Sequence, residues 1–483
     1  MRSGACDAAR SPEHAVQRPI YHFTPPRHFL NDPNGLVFHA GEFHLFYQHN
    51  PFGDTWGHMS WGHAVSRDLL HWEHLPVALA EREGAMAFSG SAVVDWRNTS
   101  GLGAGGEPPL VLLYTEHGSS EQTQCLAYSN DRGRTFVRHP GNPVLAIGER
   151  DFRDPKVSWH APTGRWVMAT VLAAQRAVRF DVSRDLLHWT HAGSFGPGDP
   201  DDGPWECPDL FALPIEGEPG GERWVLKVDV QRADAARYFV GDFDGSRFVP
   251  DPDAPRDLRV DGGRDFYAAQ SFSDLPDRRR VWIGWMSHWD YANTVPTSPW
   301  RGQLSIPREL RLARAPDGLR LAQRPIAELA RLRRTLLRRA NVDLDAANRD
   351  LAATGGGDSL EIGAVLAPGR ASTCAIAVRS AGSERTLVGF DAARSEIFVD
   401  RTRSGATGFS PAFPGVHRAR AAQARDEVAL RIFVDTGSVE VFADGGRTVI
   451  SDLVFPHAAS TGIELLSDGD AQVRSLEVFR IEA

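Results

Sequence analysis

A chain of 483 residues exceeds what one hydrophobic core usually organises, and an apolar content of 42% is enough to fill two. A net charge of −9 and a pI near 6.1 argue against a nucleic-acid groove and an anionic membrane surface, since both need clustered positive charge. No window of about 18 uninterrupted apolar residues is present to cross a bilayer, and a neutral carbohydrate fits this composition as partner.

In chain order, Met1 to Gln17 carry Arg, Asp and Glu without the apolar run of a secretory signal, so the chain is expected to be cytoplasmic rather than exported. From His22 to about Leu312, short apolar and aromatic strands alternate with Gly, Pro, Asn and Asp clusters, which predicts regular β-structure. A weak repeat runs through this region: Ser66-Arg67-Asp68 with Trp72, Ser129-Asn130-Asp131 with Phe136, Ser183-Arg184-Asp185 with Trp189, and Asp242-Phe243-Asp244 with Phe248. Its members recur roughly every 50 to 60 residues, the length of a four-stranded propeller blade, and roughly 300 residues hold five. The fold class is therefore expected to be all-β, with a five-bladed β-propeller over residues 18–325. The cysteines Cys6, Cys125, Cys207 and Cys374 are too scattered for a zinc spacing or a disulfide framework and read as reduced thiols.

Three acidic motifs fall in this first half. In Asn31-Asp32-Pro33-Asn34-Gly35, the proline pushes Asp32 into extended geometry and the following residues predict a tight turn, which points a carboxylate out of a strand end. In Arg153-Asp154-Pro155, the neighbouring guanidinium is expected to keep Asp154 ionised and able to accept hydrogen bonds from sugar hydroxyls. In Trp205-Glu206-Cys207-Pro208, apolar neighbours are expected to disfavour the charged form of Glu206 and suit it to donate a proton. The histidines His44, His49, His58, His63, His71 and His74 lack a metal-binding spacing and read as rim or core residues. No Gly-rich phosphate loop is present, so neither metal nor nucleotide cofactor is expected.

Further along, Ile326, Leu329, Leu332 and Leu336 recur at three- and four-residue spacings, which predicts a helical linker over 326–340. Its Arg331, Arg333, Arg334, Arg338 and Arg339 are expected on a solvated face or in interdomain ion pairs. From 341 to 483, strands such as Val428 to Val434 and Ser438 to Ala443 meet at short turns, the pattern of a β-sandwich.

Together with the three acidic motifs, the segments FYQHNP from Phe46, WGHMSWGHA from Trp56, FSGSAVVD from Phe88, DFYAAQ from Asp265, IGWM from Ile283, PWRGQLSIPREL from Pro299 and SVEVFADGGR from Ser438 resemble glycoside hydrolase family 32, the β-fructofuranosidases. The resemblance implies Asp32 as nucleophile, Glu206 as general acid/base and Asp154 as transition-state stabiliser. It further implies that Asn31, Gln48, Trp56, Phe88, Ser89, Arg153, Cys207 and Trp285, the last flanked by Trp282 and Trp289, line a pocket for terminal fructose. The stretch from Trp289 is similar to exo-levanases and exo-inulinases, whereas the segment from Lys227 lacks the Gly-rich insertion often found in exo-inulinases. The implied activity is retaining hydrolysis of β-fructans and sucrose by a monomer or homodimer without cofactor. Sucrose hydrolysis, fructosyl transfer, an inverting arabinan-type propeller and a noncatalytic fructan binder are the alternatives.

Overall fold

The computed structural model describes residues 17–82, 84–231, 235–255, 257–421 and 426–483. Cys6 and the rest of the segment before Gln17 lie outside these residues, whereas Cys125, Cys207 and Cys374 are buried free thiols. The fold is all-β. Among the described residues, five antiparallel sheets built on four strands each follow one another along the chain, with first strands His28–His39, Met86–Val94, Phe152–His160, Trp205–Pro214 and Tyr267–Ser271. Each first strand packs against the first strand of the next sheet, and the fifth against the first, so these five surround one axis as the inner strands of a propeller. A short segment, Trp300–Arg301, pairs in parallel with His28 and Phe29 and closes the ring.

The sequence repeat marks one place in each of four blades, the turn between the third and fourth strands. In blade 1, Asp68 Oδ1 accepts from the N–H groups of Leu70 and His71 at 3.0 and 2.9 Å; in blade 3, Asp185 accepts from Leu187 and His188 at the same distances. Asp131 in blade 2 accepts from Arg134 and Thr135 at 3.0 and 2.9 Å. A short acidic side chain thus satisfies the turn's amides, which is why Asp recurs while the surrounding residues drift.

A β-sandwich follows, one sheet containing Leu360–Ala367 and Gln472–Ile481 and the other Thr373–Ala381 and Glu384–Asp391. Its core is aliphatic, with Ile362, Ile376, Val388, Val441 and Leu476 fully or almost fully buried. The expected helical linker is corrected here. Only Ala327–Leu332 forms a short 3-10 turn, and Arg333–Asp343 is an edge strand paired with Gln472–Ile481. Local spacing suggested a helix because Leu329 and Leu332 are buried one turn apart, but the partner strand lies at the far end of the chain, where no local pattern reveals it. Four of the five arginines are partnered within the sandwich: Arg333 with Glu361, Arg334 with Glu482 at 2.6 Å, Arg338 with Glu477 at 3.2 Å and Arg339 with Asp350 at 2.6 Å. The helix present here is Leu344–Ala353, capped by Asp343, whose side chain accepts from Ala346 N at 2.7 Å.

Propeller and sandwich are joined by buried ions. Arg308 of the fifth blade bonds Glu440 of the sandwich and Asp261 at 3.1 Å, while Arg401 of the sandwich bonds Asp265. His22, ahead of the first blade, contacts Asp435 through Nδ1 and Glu440 through Nε2, both at 2.8 Å. Burial, the largest influence, opposes a charge on His22, yet the hydrogen bonds and charges of the two carboxylates outweigh it and raise its pKa to about 9. Because the folded value lies above the ordinary 6.5, the stabilisation is fully present below about pH 6.5 and is lost as pH rises through about 9. A loss on the order of 3 kcal/mol is expected across that window. Urea midpoints at pH 6.5 and 9 should differ less in His22→Gln than in the unmodified chain; an equal fall in both would contradict the assignment.

Candidate active site

The inner strands carry the candidate site side chains near their first residues. Asp32, Ser89, Asp154, Glu206 and Tyr267 come from blades 1 to 5 in turn, and because inner strands run in the same sense along the axis, all five gather at one mouth. Each of these strands loses its regular pairing there. Register breaks fall between Leu30 and Pro33, Phe88 and Gly90, Glu206 and Asp209, and Tyr267 and Gln270, and opposite the stretch between Arg153 and Lys156. Asp154, Cys207 and Ala268 adopt φ of 64°, 46° and 53°, in the left-handed region that side chains other than glycine rarely occupy. Bulges of this kind turn side chains toward the axis and store local strain at a working site. The expected tight turn after Asp32 is thereby corrected: Asp32-Pro33-Asn34-Gly35 lies inside a twelve-residue strand, and the bulge accommodates the proline. Gly35, at φ 53°, presses on the ring of Phe46, where a Cβ would sit 2.7 Å from Cδ2.

The three acids line one cavity of about 430 Å³. Asp32 is held on both oxygens: Asn31 Nδ2 donates to Oδ1 at 2.9 Å and Ser89 Oγ to Oδ2 at 2.7 Å, with Cys207 Sγ 3.5 Å from the same Oδ2. Cys207 N donates to Asp154 Oδ2 at 2.9 Å. One residue therefore touches Asp32 by its thiol and Asp154 by its amide, and is covalently joined to Glu206. Burial keeps that thiol protonated, with its pKa well above the ordinary value.

Glu206 does not occupy the apolar niche expected of it. Arg153 donates to its Oε1 from Nε at 3.2 Å and from Nη2 at 3.0 Å, and the hydroxyl of Tyr267 donates to its Oε2. Arg153 approaches Asp154 only to 3.9 Å, so the guanidinium belongs to the glutamate. Asp154 is accordingly not kept readily ionised. Burial raises it most, the Arg153 charge opposes, and the charges of Glu206 and Asp32 add, for a value of about 7. Asp32 rises to about 6, chiefly by burial, with the Ser89 hydrogen bond opposing and the Glu206 charge adding. Beneath the acids, Lys227 Nζ pairs with Asp229 and donates to the carbonyls of Cys207 at 3.1 Å and Ala269 at 2.9 Å, bracing the two left-handed turns.

Of the remaining expected residues, Gln48, Trp56, Phe88 and Arg153 line the cavity. Gln48 is fixed by its bond to Ala87 O at 3.0 Å, Trp56 is anchored through its backbone N–H to Asn293 at 2.8 Å, and Phe88 stacks on His117 at 4.4 Å. Trp285 is fully buried and does not line the cavity; it packs 4.8 Å behind Trp289, which does. Chain position explains the difference, since Trp285 lies within the second strand of the fifth blade, Val281–Met286, whereas Trp289 lies on the loop beyond it. His117, Gln122, Asp151, Gln231 and Asn293 also line the cavity and have no sequence signature of their own, apart from Asp151 standing beside the Arg153-Asp154-Pro155 motif. His44 and His63 lie in the core, stacked with Phe46 and 3.1 Å apart.

Two family descriptions cover most of the chain: Glycosyl hydrolases family 32 N-terminal domain over residues 22–325, and Glycosyl hydrolases family 32 C terminal over residues 328–480. The chain belongs to glycoside hydrolase family 32. It is thus a glycosidase of the β-fructofuranosidase type. A levanase of Bacillus subtilis (strain 168) is 48% identical over 96% of this chain and 70% of its own length. A levanase of Bacillus sp. (strain L7) is 41% identical over 96% of this chain, which spans only 52% of that protein. The crystal structure of exo-inulinase from Aspergillus awamori superposes with a TM-score of 0.89 at 34% identity, over 96% of this chain and 99% of that one.

Proposed function

We propose that the protein releases terminal fructose from β-fructans, levan and inulin, and secondarily from sucrose, by double displacement. The observation that carries this is the bridging of Asp32 and Asp154 by Cys207, next to Glu206, in one cavity. Asp32 attacks the anomeric carbon while Glu206, in the protonated form that the step requires, passes its proton to the glycosidic oxygen, and the bond to the leaving sugar breaks as the fructosyl ester forms. Glu206 then takes a proton from water, which attacks the same carbon and frees Asp32. Asp154, near its midpoint at neutral pH, both donates to and accepts from fructose hydroxyls. The fixed carboxylates and the donors Arg153 and Tyr267 supply the charge stabilisation without reorganisation.

An end-acting mode is supported by the closed floor of the pocket. Beneath the acids Lys156 Nζ donates to Ser271 O at 2.7 Å and pairs with Asp209 at 3.2 Å, so a chain cannot thread through the axis. The levanase and exo-inulinase likenesses favour fructan over sucrose as the main substrate. Levan, inulin and sucrose incubated separately test this. Free fructose as the first product from both polymers is the expected result; intermediate oligomers appearing first would contradict end-wise release. At high sucrose, trisaccharides outweighing free fructose would favour transfer over hydrolysis.

A further inference from the structure

The opposite mouth of the propeller holds a second cavity of about 390 Å³, lined in part by Val93, Val94, Ser158 and Trp159, late residues of two inner strands whose first residues help to build the catalytic pocket. Val94 lies five residues beyond Ser89 on one such strand, a rise of roughly 16 Å. The plug of Lys156, Asp209 and Ser271 stands between the two cavities, so no ligand bridges them through the axis.

The outer wall of this cavity is an unusual tryptophan. Trp96 is 60% exposed, yet its indole N–H donates to Asp274 at 2.9 Å, and Asp274 is itself fixed by the N–H of Val94 at 3.2 Å. The ring of His39 packs 6.0 Å away at 57°. An exposed indole held in this way presents a preset flat apolar face to solvent, with little conformational entropy left to lose on binding. Across the cavity, Arg97 covers Trp159 at 4.8 Å, and Trp166 is fixed through its N–H to Thr99 at 2.9 Å. Arg280 is already engaged with the carbonyl of Phe272 at 3.1 Å. Flat apolar faces ringed by Asp274, Arg97, Ser158 and Thr99 match a sugar ring, which has apolar faces and hydroxylated edges.

We propose that this second cavity binds a segment of β-fructan chain, anchoring polymer to the enzyme at a site separate from the catalytic pocket. The identity of the sugar rests on the fructan assignment above; the existence of the site rests on the pinned Trp96. In native gels containing levan or inulin, an Asp32→Asn protein, which leaves the polymer intact, should be retarded, and adding Trp96→Ala should remove at least half of that retardation. Trp96→Phe, which keeps a flat ring without the N–H that pins it to Asp274, should retain more of the retardation than Trp96→Ala and less than Trp96. Trp96→Lys, at an exposed position where the ammonium can pair with Asp274, removes the flat ring and should give the same loss where Trp96→Ala does not fold. Retardation indifferent to Trp96→Ala and Trp96→Lys, or no retardation in either gel, overturns the second site. Fructose release by the unmodified protein is measured alongside: its absence from both polymers overturns the fructan assignment, whereas its presence with indifferent retardation overturns the second site alone.

Discussion

Asp32→Asn is expected to lower fructose release by at least about 10⁴-fold, the scale on which loss of a covalent nucleophile acts in other enzymes. The amide is isosteric and remains within reach of Asn31 and Ser89, so the pocket keeps its shape while the attacking oxygen loses its charge. The fold should benefit. Asp32 is raised from the ordinary carboxylate value to about 6, chiefly by burial, so its contribution to stability is present below about pH 4 and is lost as pH rises through 6. At pH 8 the buried charge therefore costs stability, and the Asn variant should melt at a higher temperature than the unmodified chain. In the unmodified enzyme kcat/KM should fall as pH drops through about 6, because attack requires the carboxylate; Asp154 titrates in the same region, so the observed limb belongs to the pair. An Asn variant with more than about 1% of the original turnover, after deamidation is excluded by mass, would contradict the role.

Arg308→Leu is expected to destabilise the protein by about 3–5 kcal/mol, because it leaves buried Asp261 without its cation and Glu440 with His22 alone. Arg308 is fully buried, bonds Glu440 and Asp261, donates to Gln323 at 2.9 Å and to Ser451 at 2.6 Å, and lies 4.0 Å over the ring of Phe266. Asp261 also accepts from Ser451 Oγ at 2.7 Å, so the propeller and the sandwich share one hydrogen-bonded charge cluster. Removing Glu440 as well, in Arg308→Leu with Glu440→Leu, takes away one buried carboxylate that has lost its Arg308 partner and should recover part of the loss. Urea denaturation of both variants provides the check. A cost below about 1 kcal/mol for the single change would mean that water reaches the cluster and that the domains are joined mainly by apolar contact.

The sequence exposed those parts of the molecule that depend on short stretches of chain. The blade repeat was legible because Asp68, Asp131 and Asp185 each satisfy a turn within five residues. Asp32, Asp154 and Glu206 were legible because each sits in its own compact motif. What stayed hidden depends on partners distant in sequence. The pairing of Arg153 with Glu206, and not Asp154, arises from two blades meeting, and it reverses the environment inferred for both acids. Tyr267 lies within a recognised segment, yet its bond to Glu206 follows only from ring closure. The helical spacing over 326–340 is overridden from Arg333 onward by pairing with the last strand, far away in sequence. Asp343 with Leu344, Ala347 and Leu351, by contrast, offered a local capping and spacing signal for the neighbouring helix.

In the proposed double displacement, Asp32 is the group that bonds to fructose. Fructosyl fluoride needs no proton donor to depart, so with Glu206→Gln it should allow the first displacement while slowing the second, which lacks its base. Rapid quenching, proteolysis and peptide mass spectrometry should then find one fructosyl group esterified to Asp32. Label on another residue, or no label together with a product of inverted anomeric configuration, would contradict it.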